Sequence, residues 1–180
     1  MVQLTAGDLL LRPWRDDDVD AVHAAAQDPS LRAWSAVGSG SRADVVALLA
    51  RRREHRDHGD AFAFAVVRAA DDVLMGSVSL HSIDRLQGDA EVGYWTVPAA
   101  RGRRVAPRAA DAVCRWAFGS LPVDRVQLFH AVENTASGRA AAAAGFTVEG
   151  RLRRSFRYGD GVKHDELLWS RLAGDPVPAL

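Results

Sequence analysis

A chain of 180 residues is the size of one ordinary domain and short for two. Its 23 Lys and Arg balance 23 Asp and Glu, which excludes the global field that draws a protein onto nucleic acid or anionic membrane, so any anion site must be local. Of the cations only Lys163 is lysine, and against the abundant Ala and Val this arginine bias reads as base composition of the genome more than function. One cysteine, Cys114, excludes an internal disulfide. It sits among Ala, Val and Trp in a helical pattern, as a buried structural thiol does. The start, MVQLTAGDLLLRPW, lacks the basic and apolar regions of a signal peptide, and no apolar run approaches the roughly 18 residues that span a bilayer. A soluble, cytoplasmic protein of one domain, residues 1–180, is expected.

In chain order, LLLRPWR (9–15) predicts a strand and DDDVDAVHAAAQD (16–28) a helix with an acidic first turn. Residues 29–41 carry Pro, Gly and Ser and read as loop. SRADVVALLARRREHRDHG (41–59) has helical spacing and a closing Gly59. The runs 61–69 and 73–83 predict a hairpin, and 88–98, ending at Pro98, completes an antiparallel meander. A long helix follows over 102–118, then a strand over 125–132, a short helix over 136–145, and strands in FTVEGRLRRSFR (146–157) and KHDELLWSRL (163–172). The strand at 88–97, the helix and the strand at 125–132 form a β-α-β unit, which forces one parallel pair into an otherwise antiparallel sheet. The fold class is therefore α+β, a mixed sheet, and no repeat or linker marks a second domain.

The segment RGRRVAPRAADAVCRWAF (101–118) puts four arginines and a glycine at the start of the long helix. The first-turn N–H groups of a helix are unsatisfied and share the positive end of its dipole, so such a loop can hold a pyrophosphate. Gly102 permits close backbone approach, Pro107 near the first turn forfeits no bond, and the arginines can add phosphate contacts or simply solvate the helix end.

Taken together, EVGYWTVPAARGRRVAPRAADAVCRWAF and HAVENTASGRAAAAAGFTVEGRLR resemble the GNAT superfamily of acyl-CoA-dependent N-acetyltransferases, and within it the branch that acetylates ribosomal-protein N-termini. The resemblance runs from LLLRPWRDDDVDAV to KHDELLWSRL. It implies a central, mostly antiparallel sheet of about seven strands with one splayed parallel pair and about four helices. It also implies acetyl-CoA as cosubstrate, with its pantetheine arm between the splayed strands pairing with backbone near Thr96 and Val97, and its pyrophosphate on the N–H groups of Arg101, Gly102, Arg103, Arg104, Val105 and Ala106. The family loop is Arg or Gln, two residues, Gly, one residue, then Gly or Ala, which maps to Arg101, Arg104 and Ala106. Arg104 stands where the family has Gly. An ordinary helical φ there turns the Cβ away and keeps the site open, whereas a glycine conformation brings a side chain toward the diphosphate.

For the chemistry, the resemblance implies Glu91 as the general base for the amine. Much of the family uses a tyrosine on the helix after the second parallel strand to serve the departing thiolate, but ASGRAAAAAG has none, and Ser137 is the hydroxyl that remains. Asn134 would hold the cofactor arm or a water. Helix capping explains the residue types at 134–137 as well. The relatives that carry a carboxylate shortly after EG find no counterpart in RRSFR, which puts more weight on Glu91. Trp34, Glu91 and Tyr94 are assigned to the acceptor side, which is built by residues 28–45 and the loop RYGDG (157–161). The expected acceptor is a protein or peptide N-terminal α-amine, the second choice an amino-sugar antibiotic or polyamine. An acyl-CoA-binding protein without turnover and a ribosome- or RNA-binding module using Arg151, Arg153, Arg154 and Arg157 are the other classes, although nucleic acid is not favoured. No metal is expected, since His55 and His58 have no carboxylate or Cys partner pattern, and His130 reads as a satisfied core or cleft histidine. A homodimer, frequent in the family, is carried as an expectation.

Overall fold

The computed structural model describes residues 2–35 and 41–180. Among them are eight strands and five α-helices in one mixed sheet, one strand and one helix more than the sequence predicts. The strands are β1 (Leu4–Ala6), β2 (Leu9–Pro13), β3 (Phe62–Arg68), β4 (Leu74–Asp84), β5 (Asp89–Thr96), β6 (Arg125–Ala131), β7 (Thr147–Arg157) and β8 (Lys163–Leu172). The helices are α1 (Val19–Ala25), α2 (Pro29–Trp34), α3 (Arg42–His58), α4 (Val105–Ser120) and α5 (Thr135–Ala143).

The extra helix, α2, corrects the loop expected at 29–41. Asp28 caps it, accepting the Leu31 N–H at 3.0 Å, and Pro29 occupies the first turn, where its missing donor costs nothing. Positions 36–40 lie outside the described residues. The acidic helix predicted over 16–28 divides into a 3₁₀ turn at Asp16–Asp18 and α1. α3 keeps its predicted bounds because Ser41 and Asp44 form a capping box and Gly59, at φ 75°, closes the other end.

The strand order is β1-β2-β3-β4-β5-β6-β8-β7. All neighbours are antiparallel except β5 and β6, the two flanks of α4. Their parallel pairing covers only Asp89 to Glu91 against Arg125 to Gln127, while β6 stays paired with β8 as far as Ala131 opposite Glu166. Beyond Glu91 the sheet therefore opens, as the family resemblance implies.

Alternation along β3 sorts the core into two layers. Phe64 and Val66 join Leu11, Val78, Val92 and the α4 face built from Val105, Ala109, Val113 and Ala117. Ala65 and Val67 join Trp14, Val22, Leu49 and Trp95 beneath α1 and α3. Arg12, in the middle of β2, is only 2% exposed. Its guanidinium forks onto Asp18 with two bonds of 2.8 Å and onto Asp72 at 2.8 and 3.0 Å. A buried cation survives here because every fork finds a carboxylate.

Candidate active site

The opening between β5 and β6 has free backbone groups on one lip. The Val97 N–H donates to Met75 of β4 at 3.0 Å, and strand alternation then directs the backbone groups of positions 91, 93, 95 and 97 toward β4. Those of Tyr94 and Thr96 face the opening instead. The Val97 carbonyl is also taken, accepting from Ala100 at 2.9 Å. The backbone groups of Thr96 and Tyr94 thus lie along the opening, whereas those of Val97 are taken by Met75 and Ala100.

From β5 the chain makes a 3₁₀ turn at Pro98–Ala100 and enters α4 through residues 101–104. Gly102 at φ 78° and Arg104 at φ 55°, ψ 26° are left-handed, which delays the helix from the predicted residue 102 to Val105. Position 104 thus lacks the ordinary helical φ that would turn the Cβ away and takes the glycine conformation instead, with an exposed arginine side chain in it. Left-handed residues interleaved with others gather successive N–H groups into an anion-binding concavity, here at the positive end of a sixteen-residue helix. Among the described residues the N–H groups of Gly102, Arg104, Val105 and Ala106 meet no acceptor. The side chains divide differently. Arg101 pairs with Asp28 at 2.5 Å, tying the loop to the start of α2, whereas Arg103 and Arg104 are exposed and pair with no carboxylate among the described residues. A cavity of about 560 Å³ runs from this loop past Thr96 to α5 and Trp34.

At the inner end of this cavity, Asn134 caps α5, its Oδ1 accepting the Ser137 N–H at 3.3 Å, so the capping reading holds. The Ser137 hydroxyl donates to the Tyr94 phenol at 3.3 Å, and the phenol donates to the Ser137 carbonyl at 2.9 Å. Burial pushes the Tyr94 phenol up to about 12. Tyr94 reaches Ser137 from β5, on the face of the strand opposite Glu91. Tyr94 and Ser137 also line a second cavity, of about 760 Å³, so the two spaces meet at this hydroxyl pair.

Glu91 faces that second cavity, half-buried, with its Oε1 3.9 Å from His81 Nε2. Burial, and then the neighbouring charge of Glu166, raise its carboxyl above the ordinary value. Burial, and then the Arg52 cation, lower His81 below the ordinary histidine value, leaving a neutral imidazole near neutral pH. Glu166 is buried, its two oxygens accepting from the Tyr158 hydroxyl at 2.8 Å and from Ser155 at 2.7 Å. Sequence reading missed His81 and Glu166, which reach Glu91 only through strand pairing: His81 lies directly opposite Glu91 on β4. Trp34, read as part of a loop, is the last residue of α2 and packs edge-on against Tyr158 and His164 at centroid distances of 5.5 and 5.4 Å. The β7–β8 loop meets α2 backbone to backbone: Gly159 N–H donates to Ala33 O at 3.1 Å, and a Cβ on Gly159 would stand 1.8 Å from Arg32 O. The two segments expected to frame the acceptor are therefore joined.

The remaining candidates are structural. His130 is buried, donating from Nδ1 to Ala131 O at 2.7 Å and accepting the Trp169 indole N–H at 2.9 Å, which fixes a neutral tautomer. Burial pushes the Cys114 thiol up to about 12, far from a reactive thiolate. Within the basic strip, Arg151 is paired with Asp165 at 2.7 Å and Arg157 donates to the Gly161 carbonyl. No metal-binding cluster and no helix long and apolar enough to cross a membrane occur among the described residues.

Comparison with known proteins agrees with this geometry. YdaF of Bacillus subtilis (strain 168) is 33% identical over 102 residues, 57% of this chain and 55% of its own length. The ribosomal-protein-serine acetyltransferase of Escherichia coli (strain K12) is 28% identical over 98 residues, 54% of this chain and 55% of its own. The chain thus matches about half the length of these curated relatives. Among solved structures, RimL, the ribosomal L7/L12 α-N-protein acetyltransferase in complex with coenzyme A, superposes with a TM-score of 0.85 at 19% identity, over 95% of this chain and 98% of its own. A splayed parallel pair, a donor-lined loop opening α4 and a match over residues 8–147 to the model of the acetyltransferase (GNAT) domain together place the chain in that family.

Proposed function

We propose that this chain is a single-domain, acetyl-CoA-dependent N-acetyltransferase whose acceptor is a primary amine, the N-terminal α-amine of a protein or peptide. The observation that carries the reading is the meeting of two cavities at Tyr94 and Ser137, one bordered by unpaired N–H donors and the other by a carboxylate of raised pKa. The ribosomal-protein acetyltransferases among the relatives and neighbours support the acceptor class.

The residues fit acetyl-CoA. The N–H groups of Gly102, Arg104, Val105 and Ala106 would take its diphosphate, Arg103 its further phosphate charge, and the backbone of Tyr94 and Thr96 its amide arm. Bound there, it supplies the activated acyl group.

An acceptor with the pKa of lysine costs about 4 to 5 kcal/mol to deprotonate at pH 7, an α-amine near pKa 8 only about 1.4 kcal/mol. Glu91, with a raised pKa, suits the smaller task. It accepts the amine proton, and neutral His81 beside it offers an onward route toward solvent. As the C–N bond forms and the C–S bond breaks, the leaving thiolate takes a proton or a hydrogen bond from the Ser137–Tyr94 pair. Asn134 holds Ser137 in place through the cap. The reading includes a cytoplasmic location and a homodimer, which light scattering measures directly. A polyamine or amino-sugar acceptor is the second reading, favoured by the two carboxylates in one cavity, Glu91 and Glu166.

The test is calorimetric titration with acetyl-CoA, then thiol release on N-terminal peptides, polyamines and amino sugars, with Glu91→Gln beside wild type. Turnover on α-amines that Glu91→Gln abolishes with cofactor affinity intact is expected. Failure to bind acetyl-CoA would refute the reading.

A further inference from the structure

The acceptor cavity has a second charged wall that amine recognition does not use. Paired positions on β4 and β5 turn their side chains to one face, so Ser77, Ser79 and His81 lie opposite Trp95, Gly93 and Glu91 along its floor. At the Glu91 end stand the carboxylates; at the Ser77 end α3 delivers Arg52. Arg52 donates from Nη1 to Ser77 Oγ at 3.4 Å, and its guanidinium carbon lies 5.3 Å from the centre of the Trp14 ring. The Ser77 hydroxyl proton is itself committed to Phe64 O at 3.2 Å.

That one long bond leaves most of the guanidinium donors unmet. Arg12, Arg101, Arg125, Arg151 and Arg171 each lie within 3 Å of a carboxylate. Arg52 pairs with none among the described residues. Arg52 is half-buried and open to the cavity, and that burial, with no counter-charge to offset it, lowers its pKa to about 10. Stacking on Trp14 attracts the cation but leaves its in-plane N–H groups unsatisfied. The wall carries another unmet donor, the Trp95 indole N–H, buried and without an acceptor.

We propose, on the acceptor reading above, that Arg52 receives a carboxylate of the acceptor itself, so that the substrate is a peptide N-terminus with an Asp or Glu close behind its free α-amine. The amine end faces Glu91 and Glu166; the acidic side chain completes the guanidinium. Ser77 and His81 are four strand residues apart, about 13 Å, which an extended peptide covers within its first few residues. With the amine about 3 Å from Glu91 and the carboxylate about 3 Å from Arg52, roughly 7 Å remains between them, which sets the acidic residue at the second or third position. It also disfavours polyamines, whose second cation would meet Arg52.

The test is thiol release on short peptides that differ only in Asp or Asn at the second or third position, with wild type, Arg52→Met and Arg52→Lys. Wild type should prefer the Asp peptide by about tenfold or more in kcat/KM. Arg52→Met should bring the ratio to about one, and Arg52→Lys should keep part of the preference. An Asp/Asn ratio near one in wild type, or a preference that survives in Arg52→Met, overturns the proposal. If no peptide turns over, it is the enzyme reading that fails. The same peptides titrated calorimetrically into wild type and Arg52→Met then still read the charge preference, with the same two outcomes deciding it. Circular dichroism melts of Arg52→Met beside Arg52→Lys identify any loss that comes from the Trp14 packing.

Discussion

Arg104 is the place where the loop departs most from its family, and it separates backbone from side chain cleanly. At φ 55° a residue with a Cβ is strained by about 1 to 2 kcal/mol relative to glycine. Glycine gives back about 0.5 to 1 kcal/mol through its freer unfolded chain, so Arg104→Gly should stabilise the fold by about 0.5 to 1 kcal/mol. For a chain of this size that is a rise in melting temperature of about 1 to 4 °C. Arg104→Ala removes the same guanidinium but keeps the Cβ, so it should melt close to wild type. If the N–H groups at the start of α4 hold the diphosphate, acetyl-CoA affinity by calorimetry should stay within about threefold of wild type in both variants, since the charge-assisted hydrogen bonds that the backbone donates survive either change. An Arg104→Gly protein that melts below wild type, or Gly and Ala variants that shift alike, would refute the strain argument. A common tenfold loss of affinity would show the guanidinium itself to be the phosphate ligand.

Other expectations follow from the same geometry. Glu91→Gln should lower kcat/KM by about 10²-fold or more at neutral pH and remove the acidic limb of the wild-type pH profile, which lies above the ordinary carboxylate value. Because the folded state raises the Glu91 pKa, its ionisation costs stability as pH rises through that value; Glu91→Gln should therefore melt above wild type at pH 7, with the difference vanishing near pH 4. Tyr94→Phe, which removes the acceptor of the Ser137 hydroxyl, should lower kcat more than it changes acetyl-CoA affinity, whereas equal effects on both would assign Tyr94 to cofactor packing. Gly159→Ala forces the β7–β8 loop off α2 and should raise the acceptor KM while leaving acetyl-CoA titrations unchanged. Asp18→Ala, which strips a carboxylate from buried Arg12, should cost about 3 to 5 kcal/mol in denaturant melts.

The β-α-β unit was legible because it rests on local signals: a strand ended by Pro98, a glycine-bearing loop and a long apolar-faced helix. The α2 helix was obscured because Pro29, Gly38 and the serines read as loop, although Asp28 followed by Pro29 is itself a helix-start signal. Parity hid Tyr94 and Val97. Which side of a strand faces an opening depends on a partner that composition does not name, and one hydrogen bond from Val97 to Met75 decides it. Glu166 and His81 were unreadable for a related reason, since they approach Glu91 through cross-strand register and, on β7–β8, past shifts in pairing. Arg12 and Arg52 were lost in a chain with 22 arginines, where only the fold shows that Arg12 is buried between two carboxylates and that Arg52 lines a cavity without one.

The joint between α2 and the β7–β8 loop combines a main-chain bond at Gly159 with the packing of Trp34 on Tyr158 and His164. Its frame therefore does not depend on the side chains that β4 and α3 bring to the space it encloses. A lineage that keeps this joint can exchange Arg52, Ser77 or Ser79 and so change what it modifies without rebuilding the enclosure. Divergence in this fold would then be fast at the walls and slow at the hinge of backbone that holds them, and a tally of accepted substitutions across relatives should show that contrast at Gly159.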